Sequence, residues 1–142
     1  MKNLIMILLF VLSVSCNGQD NNMKDTPLVT VIKLQSSEAL LNFDEAKQYM
    51  DIEKVFGENP ESKKSPQEEW KEMVTFFYNL GGNKKFTNQF KYFDYNIAEI
   101  IKVSNAQVKF VAIDKDSHIK EIIYSLDKIK DRWKVTDMQY VN

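Results

Sequence analysis

Few side chains here are suited to nucleophilic attack or metal ligation: among 142 residues there is one cysteine, Cys16, one histidine, His118, and one arginine, Arg132. A single cysteine closes no internal disulfide, and a lone histidine without a neighbouring cysteine falls short of the usual zinc ligand sets. No metal site and no cofactor are expected. His118 has only Ser117 beside it, so no serine nucleophile with its base is set up. The segment "LGGN", residues 80–83, lacks the lysine and following hydroxyl of a phosphate-binding loop and reads as a helix stop. Asp114, Asp116 and Asp127 lack the glycine and distal glutamate of a calcium-binding loop, and such acids favour tight turns.

What the chain does have in quantity is aromatic side chains. Trp70, Phe76, Phe77, Tyr78, Phe86, Phe90, Tyr92, Phe93 and Tyr95 crowd one stretch. Pockets for small molecules are mostly apolar with a few convergent polar groups, so Tyr49, Trp70, Phe77, Tyr95 and Tyr124 are the candidate pocket residues. The same spacing also suits a packed core. Charge adds an exclusion: Lys+Arg number 19 and Asp+Glu 20, so the basic excess that a phosphate backbone would attract is missing. Nucleic acid is not an expected partner.

Three regions position these residues. Residues 1–15 begin with Met1-Lys2-Asn3 and run into "LIMILLFVLSV", an apolar core too short for the roughly 20 residues that span a bilayer, as in a secretion signal. Leu12-Ser13-Val14-Ser15 then leads into Cys16, which resembles the lipobox of bacterial, Bacteroidetes-like lipoproteins, with Ser13 where that family prefers Leu, Val or Ile. The resemblance implies that Cys16 carries palmitate-type acyl chains and becomes the first residue of the mature protein. Residues 16–25 are polar and read as a flexible tether. Several acyl chains on one cysteine would hold the protein stably on a membrane. Asn17 is not the aspartate of an inner-membrane retention signal, so the expected place is the outer membrane, facing the periplasm rather than the cell surface.

The whole chain, at 44% hydrophobic and 27% charged, has the balance of one globular domain, which residues 26–142 are expected to form. Thr26 and Pro27 suit the cap and first position of a helix over residues 27–41. Asn42, with Glu45 three residues on, predicts a second helix whose Ala46, Tyr49, Met50 and Glu53 share a face until Gly57 ends it. In "SPQEEWKEMVTFFYNLGG", Ser65 and Glu68 form a capping box, and Trp70, Met73, Val74 and Phe77 make one apolar face of a third helix. From Asp94 the period becomes alternating, which predicts strands over residues 95–103, 107–113, 119–126 and 133–140, joined as antiparallel hairpins. The fold class is therefore α+β: N-terminal helices packed on an antiparallel four-stranded sheet, which the family resemblance described next implies is curved.

Two segments carry a family resemblance. "ALLNFDEAKQYMD" resembles the early-helix region of NTF2-like (cystatin-like) domains, and "EIIYSLDKIKDRWKVTDMQYV" is similar to their final hairpin. The resemblance implies a sheet wrapped round a long helix as a cone with an apolar pocket, and a possible homodimer. The helix-then-strand order also fits other small α+β domains. A dehydratase of this kind would need a histidine pair, and only His118 is present. An epoxide hydrolase of this kind would need an arginine between two aspartates in the pocket, whereas Arg132 lies beside a turn. A steroid-isomerase-like site needs a carboxylate base with tyrosine and carboxyl oxyanion donors; Tyr49, Asp94 and Glu99 are candidates by type, though Glu99 also suits the outer face of its strand.

The expected function is that of a membrane-anchored envelope lipoprotein, non-catalytic, binding a small apolar ligand or a protein partner. One alternative is a cone-pocket isomerase or dehydratase, which requires a pocket carboxyl with a raised pKa, such as a buried acid beside a tyrosine. The other is an immunity-like lipoprotein that neutralises a toxin.

Overall fold

The computed structural model describes residues 25–57, 63–81 and 94–142. The signal segment, Cys16, nearly all of the tether, and Phe86, Phe90, Tyr92 and Phe93 lie outside the described residues.

Helix α1, Pro27–Ala39, starts as expected: the Thr26 hydroxyl accepts from the Val29 N–H at 3.2 Å and proline fills the first position. Its inward face carries Val31 and Leu34, both with no exposed surface. It ends in a Schellman motif: Asn42 N–H reaches the Ser37 carbonyl at 2.8 Å and Leu41 N–H the Glu38 carbonyl at 2.9 Å. Leu41 supplies the left-handed residue, φ 53°, a position that usually goes to glycine.

The single helix expected from Asn42 to Gly57 is two short ones, α2, Phe43–Ala46, and α3, Ile52–Phe56. Between them Met50 forms a parallel bridge to Val135: Asp51 N–H donates to the Val135 carbonyl at 2.8 Å, and Val135 N–H to the Tyr49 carbonyl at 2.9 Å. Those two groups of Val135 lie on the outer edge of the sheet and need partners when buried. A sheet edge has overridden helical periodicity here. Gly57 closes α3, and a Cβ there would collide with the Glu53 carbonyl oxygen.

Helix α4, Pro66–Gly81, carries the capping box. Ser65 N–H donates to Glu68 Oε2 at 2.9 Å, and Glu68 N–H to Ser65 Oγ at 3.3 Å. Trp70 and Val74 are buried, Met73 is half-buried, and Phe77, expected on the same apolar face, is 56% exposed.

The four strands are β1, Tyr95–Ile101, β2, Asn105–Ala112, β3, Glu121–Ile129, and β4, Arg132–Val141. They form an open antiparallel meander in the order β1-β2-β3-β4. At the β3–β4 turn Lys130 and Asp131 both have positive φ, 46° and 69°, as a two-residue type I′ turn requires. A bulge near Thr136 shifts the β3–β4 register between Ser125 and Leu126.

Val108 and Phe110 of β2, Ile122, Tyr124 and Leu126 of β3, and Val135 of β4 face the helices and make the core with Val31, Leu34, Met50 and Trp70. On β2 and β3 these residues alternate with period two, as side chains on one face of a strand must. Glu99 differs from its expected outward place: it pairs with the fully buried Val108 and so stands on the helix-facing side. There it accepts the Leu28 N–H at 2.9 Å, capping the first turn of α1 from a strand 71 residues away.

A cavity with a buried carboxyl

Helix periodicity places Glu38 in line with Val31 and Leu34, two turns beyond the first and one turn beyond the second along the buried stripe of α1. A carboxyl so placed must find a donor or lose its charge. It does both. Trp70 Nε1–H donates to Glu38 Oε1 at 2.7 Å, joining α4 to the last turn of α1. Burial pushes the Glu38 carboxyl up to about 7, and the Trp70 hydrogen bond pulls only partly against it.

This carboxyl borders a cavity of about 170 Å³. Helix α1 contributes Gln35, Glu38 and Ala39; α4 contributes Met73, Val74, Phe77 and Tyr78; β4 contributes Tyr140. The partial exposure of Phe77 and Tyr78 follows from this, since their rings line an open space instead of a sealed core.

A chain of hydroxyls runs along one wall. Gln35 Nε2–H donates to the Tyr124 hydroxyl at 2.8 Å, and Tyr124 is hydrogen-bonded in turn to Tyr140. Tyr140 is 52% exposed, yet its hydroxyl end is desolvated; that and the nearby Glu38 charge raise its pKa. Tyr124 thus links Gln35 to Tyr140, whose hydroxyl stands at the far end of the chain of groups. Chemically the cavity offers an apolar wall, an acid that titrates near neutrality, and a tyrosine donor.

Three of the five pocket residues named from the sequence meet here. Phe77 lines the cavity, while Trp70 and Tyr124 stand behind it and hold Glu38 and Gln35 in place. The other two lie elsewhere. The Tyr49 hydroxyl is hydrogen-bonded to Glu45 and its ring lies 5.8 Å from Lys33 Nζ; burial and Glu45 raise it to about 12. Tyr95 packs edge-on against Phe110 at 6.4 Å and borders a separate depression of about 430 Å³ with Asp94, Ala112, Asp114 and Ser117. That depression is built largely on turn residues and holds no comparable buried acid.

The isomerase-type candidates Tyr49, Asp94 and Glu99 are not brought together: one is bound to Glu45, one is exposed at the start of β1, and one caps α1. His118 is exposed in the connection before β3, and Arg132 is exposed at the first position of β4. Glu38 itself was missed. The signal was present as an acid at an apolar-stripe position, spaced three and seven from Val31 to Leu34 and Glu38.

These features define the protein as an α+β meander domain with a small cavity between helix and sheet, bearing an acid of raised pKa. Compared with protein-family models, with curated proteins and with solved structures, the chain matches none.

Proposed function

We propose that this chain is a lipid-anchored envelope protein, outer-membrane and periplasm-facing, whose domain binds a small, largely apolar ligand without transforming it. The single observation that carries the binding reading is the cavity of about 170 Å³ with its apolar wall and its few convergent polar groups, Glu38, Gln35 and Tyr140. A dry cavity of about 150 Å³ suffices for a benzene-sized guest, so a single ring or a short branched chain fits. Helices preceding an antiparallel sheet, with a pocket between them, support an NTF2-like half-cone as the particular form of the fold. The basic start, short apolar run and Cys16 support the anchor.

Two measurements test this. Intact mass of wild type and Cys16→Ser from a Gram-negative host, with membrane fractionation, should show an acyl mass gain and membrane partitioning in the wild type alone; equal masses and two soluble proteins would sink the anchor. Chemical-shift titration with small cyclic probes should move the lining residues Val74, Phe77 and Tyr140 together. Ala39→Phe, which fills the cavity, should abolish those shifts.

Glu38 favours a second reading, a proton-shuttling isomerase. A carboxyl near 7 is matched to general-base work at neutral pH, and Tyr140 could donate to a developing oxyanion. Uptake of solvent deuterium next to the carbonyl of a small cyclic ketone, lost in Glu38→Gln, is the expected sign; no uptake above the variant's background excludes this reading.

A further inference from the structure

The cavity wall is selective in charge as well as in size. Among the described residues that line it, Glu38 is the sole charged side chain, and none is a Lys or Arg that would receive an anion. Among the described residues, Glu38 Oε1 accepts the Trp70 indole N–H and Oε2 accepts from none. No buried side-chain oxygen or nitrogen among the described residues lacks a partner, so Oε2 must be reached from the open space that the residue borders. Phe77, Tyr78 and Tyr140 bring three aromatic rings to the same space. Ring faces carry partial negative charge and attract cations, and a carboxylate with vacant lone pairs calls for a charged donor. A carboxylate or phosphate guest would instead meet a like charge and electron-rich rings.

We propose that the cavity is a site for a small organic ammonium ion, its N–H donating to Glu38 Oε2 and its carbon frame lying among Val74, Met73 and the rings of Phe77, Tyr78 and Tyr140. This assignment rests on the ligand-binding reading and narrows it to a chemical class. Trp70 acts as a positioning residue, since its N–H fixes the other carboxyl oxygen and with it the direction of Oε2.

The test uses the full-length chain in detergent, with benzylamine and its neutral near-isostere benzyl alcohol as probes, at about pH 8 where Glu38 is ionised. Binding is read from the Trp70 indole N–H resonance, which reports directly on the hydrogen-bonded carboxyl. Benzylamine should bind at least about tenfold tighter than benzyl alcohol and move that resonance. Glu38→Gln, nearly isosteric and still able to accept from Trp70, should bring the two probes to parity. Phe77→Leu, at a largely exposed position, should weaken the amine about threefold while leaving the alcohol within twofold.

Equal binding of both probes to the wild type would overturn the ammonium assignment and leave the pocket reading standing. An amine preference that survives Glu38→Gln would overturn it too, by placing the cation elsewhere. Binding of neither probe, with the indole resonance unmoved, would remove the ligand-binding reading and this assignment with it.

Discussion

The Trp70 indole N–H donates to Glu38 Oε1 at 2.7 Å, across 32 residues of sequence, and this contact holds the second turn of α4 to the last turn of α1. Trp70 has no exposed surface and meets Phe43 edge-on at 5.3 Å, so its position is fixed on two sides. The cavity opens immediately beyond the carboxyl. One hydrogen bond therefore joins the packing of the helical layer to the chemistry of the site.

Glu38 should make stability depend on pH in an unusual direction. Its ordinary value is 4.5 and the folded chain raises it to about 7. Between those values the folded state holds a proton that the unfolded state has released, so stability falls as pH rises through the window. The stabilising contribution is complete below 4.5 and gone above about 7. Glu38→Gln removes the slope, and the difference between variant and wild type should grow to at most about 3 kcal/mol by pH 8. Urea denaturation across this range checks it; parallel curves for the two proteins would contradict the raised value.

Trp70→Phe should destabilise by about 2–4 kcal/mol, through lost volume at a fully buried site and a carboxyl left without its donor. The Trp70 bond is the influence that lowers the Glu38 pKa, so the variant should titrate still higher and widen the pH window upward. A double-mutant cycle with Glu38→Gln isolates the contact. Additivity within about 0.5 kcal/mol would mean that the two side chains are not coupled.

The cap that Glu99 places on α1 should be worth about 1 kcal/mol, in the range of ordinary N-caps and carboxylates at helix starts. Glu99→Ala should lower the denaturation midpoint accordingly and speed hydrogen exchange at the Leu28 amide, leaving the amides of α4 unchanged. Unaltered exchange at Leu28 would show that water replaces the carboxylate without loss.

At the β3–β4 turn, Lys130 and Asp131 occupy left-handed conformations that Asn and Gly adopt more readily. The pair Lys130→Asn and Asp131→Gly should raise stability by about 1 kcal/mol with no change in strand register. Thermal unfolding measures the gain. A loss instead would indicate that the Lys128–Asp131 ion pair at 3.6 Å matters more than turn geometry, against what exposed pairs usually contribute.

The sequence was most informative where structure is decided by near neighbours. The Ser65–Glu68 capping box needs groups three residues apart, and it forms as written. The inward rows Val108 and Phe110, and Ile122, Tyr124 and Leu126, follow from strand geometry alone. The helix over residues 42–57 failed for the opposite reason. Periodicity there was sound, but the unpaired edge of Val135, some 80 residues on, supplied hydrogen bonds that a continuous helix could not satisfy.

The site divides along the same line. Residue type marked Trp70, Phe77 and Tyr124 as aromatics suited to a pocket, and helical spacing put Glu38 on the inner face of α1. Whether an acid at such a position is solvated, paired or left beside a cavity depends on which side chains arrive from other elements. Tyr49 and Tyr124 look alike in sequence, yet one meets Glu45 at the surface and the other Gln35 and Tyr140 at the cavity wall. By itself the sequence determined the order of helices and strands, because propensity, capping and alternation act over a few residues. Only tertiary packing decided the Glu38–Trp70 pairing and the raised acidity, because desolvation is set by neighbours far along the chain.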